Sequence, residues 1–280
     1  MGRPGPALIT HAAIQDRGGR GFRAAPAFPL HFGHMTVEQM LRSQAARTGE
    51  NGLTFGLAGK EPDWLPLERL VGTVPAALVP RLGQCAVYFV PWLVKQRRGV
   101  SIALEPKAAE EERTELCHHL DFRNQGALAI ISYEFFAQDL YGLAMEFYDK
   151  IAYIAAMQPP PRDDFQQLLA EQWPQTPAGE VTPDAWDWRR QVKGGEGAPQ
   201  REGEAWQNYL RTAETDSLGL YMGALFMDIY YEDLFDGSDE QPPLPPDPMQ
   251  QRLRALEKLY PPNRGQMLEI YRQRERHRHR

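Results

Sequence analysis

Apolar and polar positions alternate in distinct regimes along this chain. "QCAVYFVPW", residues 84–92, is dense in β-branched and aromatic side chains, as a strand requires. "GVSIALEP", residues 99–106, follows a polar turn and predicts a second strand antiparallel to the first, with Pro91 ending the first strand or holding it at a sheet edge. "GALAIIS", residues 126–132, suits either a third, fully buried strand or the start of the helix behind it; periodicity alone does not choose. From Ser132, read as an N-cap, Phe136, Leu140, Leu143, Phe147, Ile151 and Ile154 recur at steps of three and four. That is the period of a helix, here the longest and most apolar one.

Shorter helices are predicted on both sides. "MTVEQMLRSQAA" opens with Thr36 as cap and Gln39 at the reciprocal capping-box position. "GLTFGLAG" is a short strand between glycines, and "PLERLVGTVPAALVPRLG" reads as helical turns broken by Pro75 and Pro80. "KAAEEERTELCHHL" reads as a helix with acidic residues in its first turn. In the second half, "DDFQQLLAEQW" and "TPDAWDWRRQV" are helices, the latter capped by Thr182 with Pro183 at the first position. "EAWQNYLRTAE" and "DSLGLYMGALFMDIYYEDLF" form a helix pair, as do "MQQRLRALEKLY" and "RGQMLEIYRQRER".

The fold class is therefore α+β: a small, mostly antiparallel sheet with flanking helices in the first half and a predominantly helical second half. The division expected is a basic arm over 1–35, an α+β core over 36–157, and a helical region over 158–271 packed on that core. A loop at 193–203 and a proline-rich linker at 236–248 interrupt the helical region, and a basic tail covers 272–280. Neither an internal repeat nor a run of eighteen uncharged apolar residues is present, so no membrane span is expected.

Charge sharpens this division. The formal net charge of the 280 residues is −6. The arm holds Arg3, Arg17, Arg20 and Arg23 against Asp16, and the tail holds five arginines against Glu275, so removing three and four positive charges leaves the body at −13. Such a body repels phosphate backbones, so nucleic acid would be met only by the two termini. Two cysteines and no disulfide framework fit a reducing, cytoplasmic setting; residues 1–35 read as a transit peptide would place the protein in an organellar matrix instead.

Two stretches carry candidate chemistry. "MDIYYEDLFDGSDE" sets Tyr230, Tyr231 and Phe235 among Asp228, Glu232, Asp233 and Asp236, at the end of a predicted helix where the dipole disfavours acids. An acidic, aromatic surface suits a basic protein partner, and the first function expected is that of a non-enzymatic accessory or interaction protein without a cofactor. The second stretch is "ELCHHLDF", residues 115–122. On a helix, Glu115 and His118 stand at i and i+3 and face one metal ion; Cys117, His118 and His119 with a carboxylate such as Glu146 would form an enzyme or metalloprotein site. The zinc spacings of strong motifs are missing, so this stretch reads first as a structural helix end, with Leu116 and Leu120 inward. Glu134, Asp139, Glu146 and Asp149 read first as a solvated stripe of the long helix.

Overall fold

The computed structural model describes residues 34–105, 114–123, 126–158, 163–174, 178–192, 194–195, 198–199, 201–231, 234 and 241–271. The first half runs β1 (His34–Thr36), α1 (Val37–Ser43), β2 (Arg47–Thr48), β3 (Thr54–Leu57), α2 (Leu67–Gly72), β4 (Gln84–Val90), β5 (Trp92–Lys95), β6 (Val100–Ala103), β7 (Glu115–Leu116), β8 (His118–Arg123) and β9 (Gly126–Ser132). The second half runs α3 (Leu140–Ala156), α4 (Asp163–Gln172), α5 (Pro183–Gln191), β10 (Gly194–Gly195), β11 (Ala198–Pro199), α6 (Glu204–Phe226), β12 (Ile229–Tyr230), α7 (Pro246–Leu259) and β13 (Ile270–Tyr271).

The fold is α+β, with two principal sheets. The larger has the order β2-β3-β4-β9-β8, the smaller β1-β6-β5-β7. Most pairings are antiparallel, but β3–β4 and β4–β9, at the centre of the larger sheet, are parallel. Pro91 explains why the expected hairpin is built differently. It ends β4 and passes the chain into the smaller sheet, so the strand pairing with β6 is β5, four residues long, rather than "QCAVYFV". Alternation along the central strands then makes two cores. Val87, Phe89, Ala129 and Ile131 face the helices, while Tyr88, Val90 and Ile130 face Val37, Met40, Leu93 and Ile102 of α1 and the smaller sheet.

Helix α3 lies on the helical side of the larger sheet and packs against α6. It starts later than expected. Ser132 ends β9 and donates its hydroxyl to Pro91 O at 2.8 Å, while Ala137 and Gln138 take positive φ angles and break the helical path. Asp139 is the true cap, accepting from Gly142 N at 3.1 Å. The caps at Thr36, with Gln39 closing the capping box, and at Thr182 stand as expected. "EAWQNYLRTAE" and "DSLGLYMGALF" form one helix of 23 residues, not a pair. Its close approach to α3 is made at Gly219, where an added Cβ would lie 3.5 Å from the Asp149 Cα. The terminal segment "RGQMLEIY" is not helical: it ends in β13, parallel to β12. Among the described residues, no helix is long and apolar enough to cross a membrane.

Candidate functional site

The stretch 115–122 is not a helix. Glu115 and Leu116 belong to β7 in the smaller sheet, Cys117 is a bend between the sheets, and His118 opens β8 at the edge of the larger one. The pairing His118↔Ile131 through Arg123↔Gly126 supplies β8 with backbone hydrogen bonds that outweigh helical propensity. Strand geometry reassigns the neighbours. His118, Leu120 and Phe122 share one face, and His119 and Asp121 share the other. Leu120 packs on the main core, and the Phe122 ring sits 6.2 Å from that of Tyr153 on α3. His118 therefore lies over the same helix face, four residues N-terminal to the Phe122 contact.

There it meets Glu146. The Nδ1–Oε1 distance is 2.5 Å, with Glu146 only 9 % exposed and His118 28 %. The bend at Cys117 turns its Sγ to 3.2 Å from the same Nδ1. Lys150, one helical turn beyond Glu146 and almost wholly buried, places Nζ 3.4 Å from Oε1 and 2.7 Å from Asp149 Oδ2. So the expected solvated stripe on α3 is a buried ionic cluster at this point, because β8 covers it. Glu115 is exposed in the smaller sheet and is not one of the converging groups; the i, i+3 pairing with His118 disappears with the helix.

Cys117, His118 and Glu146 each present one donor atom, and the three atoms lie within 4.8 Å of one another. Glu146 Oε1 sits within ion-pair distance of both His118 Nδ1 and Lys150 Nζ. A buried carboxylate oxygen is thus held between an imidazole and an ammonium. Burial raises the Glu146 pKa, but His118 and Lys150 more than offset this and hold it below the usual carboxylate value. Burial first, and then Glu146, push the Cys117 thiol up to about 11. A thiol so protonated is a poor free nucleophile. The geometry also differs from a cysteine–histidine relay, which uses the two ring nitrogens on opposite sides; here thiol and carboxylate converge on one nitrogen.

Tetrahedral zinc would separate nitrogen, oxygen and sulfur ligands by about 3.3–3.7 Å. The Sγ–Nδ1 distance is already close to that, and Nδ1–Oε1 would open by somewhat under about 1 Å, within reach of a Glu146 side-chain adjustment. Thiolate and imidazole donors suit borderline metals and disfavour calcium or magnesium.

The acidic–aromatic stretch lies only partly within the described residues. The α6 helix ends at Phe226, so Asp228 is exposed beyond the helix and Tyr230 is in β12. Tyr231 packs against the main core and donates its hydroxyl to Leu244 O at 2.9 Å. Glu232, Asp233, Phe235 and Asp236 lie outside the described residues. The run "PPLPP" is pinned: Glu180 N donates to Pro242 O, Leu244 N donates to Glu180 O, and Pro246 begins α7.

The signal for the Cys117–His118–Glu146 group is the alternation His118, Leu120, Phe122, which has period two. Lys150, one turn from Glu146, is the further member of the cluster, and its i+4 spacing is the sign the sequence offers. Comparison with protein-family models and with curated proteins finds no match to this chain.

Proposed function

We propose that this is a metal-binding protein whose site is formed by Cys117, His118 and Glu146, with zinc the ion best suited to the donors. One observation carries the reading: three different donor atoms converge within 4.8 Å, one of them an oxygen of a buried carboxylate. Three protein ligands leave the fourth tetrahedral position for water or a substrate atom, as exchangeable and catalytic sites do and closed structural sites do not. His118 and Cys117 are only half-buried, so that position has an approach from solvent. Binding a divalent ion there would take the proton from Cys117 and anchor edge strand β8 to α3.

The test uses the full chain freed of metal by chelation and titrated with zinc or cobalt. The expected result is one ion per chain, with a thiolate-to-cobalt charge-transfer band. Cys117→Ser should abolish the band, and His118→Ala and Glu146→Gln should each weaken binding at least about tenfold, while Glu115→Gln and His119→Ala should leave it unchanged. Absence of stoichiometric binding, or binding indifferent to Cys117 and His118, would overturn the reading. The interaction reading draws less support, because Tyr231, its expected anchor, is engaged within the fold.

A further inference from the structure

Lys150 is the group that the metal reading leaves unexplained. Its ammonium is 5 % exposed and lies 3.4 Å from Glu146 Oε1, the same oxygen that faces His118 Nδ1 and would coordinate an ion. A cation coordinated by that oxygen, at about 2 Å, would come close to the ammonium, and the two charges would repel across a poorly solvated interior. Without metal the relation reverses. A buried Glu146 carboxylate lacking a counter-charge is strongly destabilising, and Lys150 compensates it while Asp149, 2.7 Å from Nζ, holds the ammonium in place.

We propose that Lys150 is a resident cation that competes with the metal for Glu146, so that it stabilises the metal-free protein, lowers the site's affinity and makes occupancy follow metal supply. This rests on the metal reading of the preceding section. A side chain that merely packs would change folding but not affinity; one that positions Glu146 for coordination would, when removed, weaken binding. A competing cation is distinguished by sign: its removal destabilises the metal-free chain and tightens the site.

The experiment measures zinc affinity with a competing chromophoric chelator, and the melting temperature with and without zinc, for the full-length parent, Lys150→Met, Lys150→Gln and Lys150→Arg. Lys150→Gln keeps a polar chain of similar length if the methionine variant does not fold. Expected are a lower melting temperature without metal, zinc binding at least about tenfold tighter for the neutral variants, and affinity within about threefold of the parent for Lys150→Arg, which keeps the charge. Stoichiometric binding by the parent with unchanged or weaker binding in the neutral variants overturns the competition and leaves the metal reading standing. Binding by the neutral variants but not by the parent upholds the competition and overturns the parent as a metal protein. Binding by none of them overturns both.

Discussion

Asp216 shows how one side chain in the helical layer links stability to pH. Its carboxyl is buried and its Oδ2 accepts from Thr182 Oγ1 at 2.6 Å. The same hydroxyl oxygen accepts from Ala185 N, so Thr182 caps α5 and ties it to α6 at once. Burial raises the Asp216 pKa well above its ordinary value; the Thr182 hydrogen bond lowers it but does not cancel the effect. A folded-state pKa above the unfolded one means a contribution fully present below the unfolded pKa and lost as pH rises through the folded value. Asp216→Asn keeps an acceptor for Thr182 and has no charge to bury. The stability of the variant relative to the parent should rise, by on the order of 1 kcal/mol, as pH climbs above the ordinary carboxylate range. Urea unfolding at several pH values checks this, and parallel pH profiles for the two proteins would show that Asp216 is not the group responsible.

Elements were legible where local chemistry and tertiary demand agreed. The caps at Thr36 and Thr182 and the strand at "LTFGL" follow from signals within a few residues, whereas "GALAIIS", locally either strand or helix start, becomes β9 by pairing with β4 and β8. Gly56 in β3 shows what such signals omit. It is paired with Tyr88 of β4, and an added Cβ would lie 2.5 Å from the tyrosine ring. Gly56→Ala should therefore destabilise the protein by about 1–3 kcal/mol through overcrowding between two paired strands; denaturant midpoints measure it, and the loss should shrink when Tyr88 is replaced by Leu in the same chain. The sequence shows a glycine there but not the ring across the ladder. For the same reason "ELCHHLDF" looks locally like a helix end: its β8 half becomes a strand only because β9 supplies a partner. The helix-period reading of Ser132 to Ile154 failed at its start, where two left-handed residues interrupt a pattern whose apolar spacing continues. The candidate site was legible as residue types and not as a constellation, since Cys117 and His118 reach Glu146 only after the sheet lays β8 across α3.

At the scale of the molecule, the larger sheet and the helices share one continuous apolar core, from Leu53 of the first half to Leu268 near the end of the described chain. Polar ties reinforce it. Asn263 donates to Gly72 O and Val74 O, each at 2.9 Å, and accepts from Ala76 N, fastening the segment after α7 to the turn after α2. Within the helical layer, Glu180 is fully buried and receives Arg189, both NH groups of Arg252, and the Tyr209 hydroxyl, at 2.7–3.2 Å. Gln172 of α4 accepts from Arg252 Nε, so one carboxylate and its partners join α4, α5, α6 and α7. Burial raises the Glu180 pKa, but Arg252 and Arg189 outweigh it and hold it lowered. A depressed folded pKa contributes stability above the unfolded pKa and loses it as pH falls through the folded value, so the contribution of this network should decline as pH drops below the ordinary carboxylate range. Arg252→Met removes the central donor and leaves Glu180 under-compensated in an apolar setting, which should cost about 3–5 kcal/mol. Because the core is continuous, that loss should be felt by the sheet as well as by the helices. In urea, far-ultraviolet dichroism and tryptophan fluorescence should move together to a lower midpoint and still coincide, with an unchanged slope. Two separated transitions, with the sheet outlasting the helices, would show that the two halves unfold as independent units.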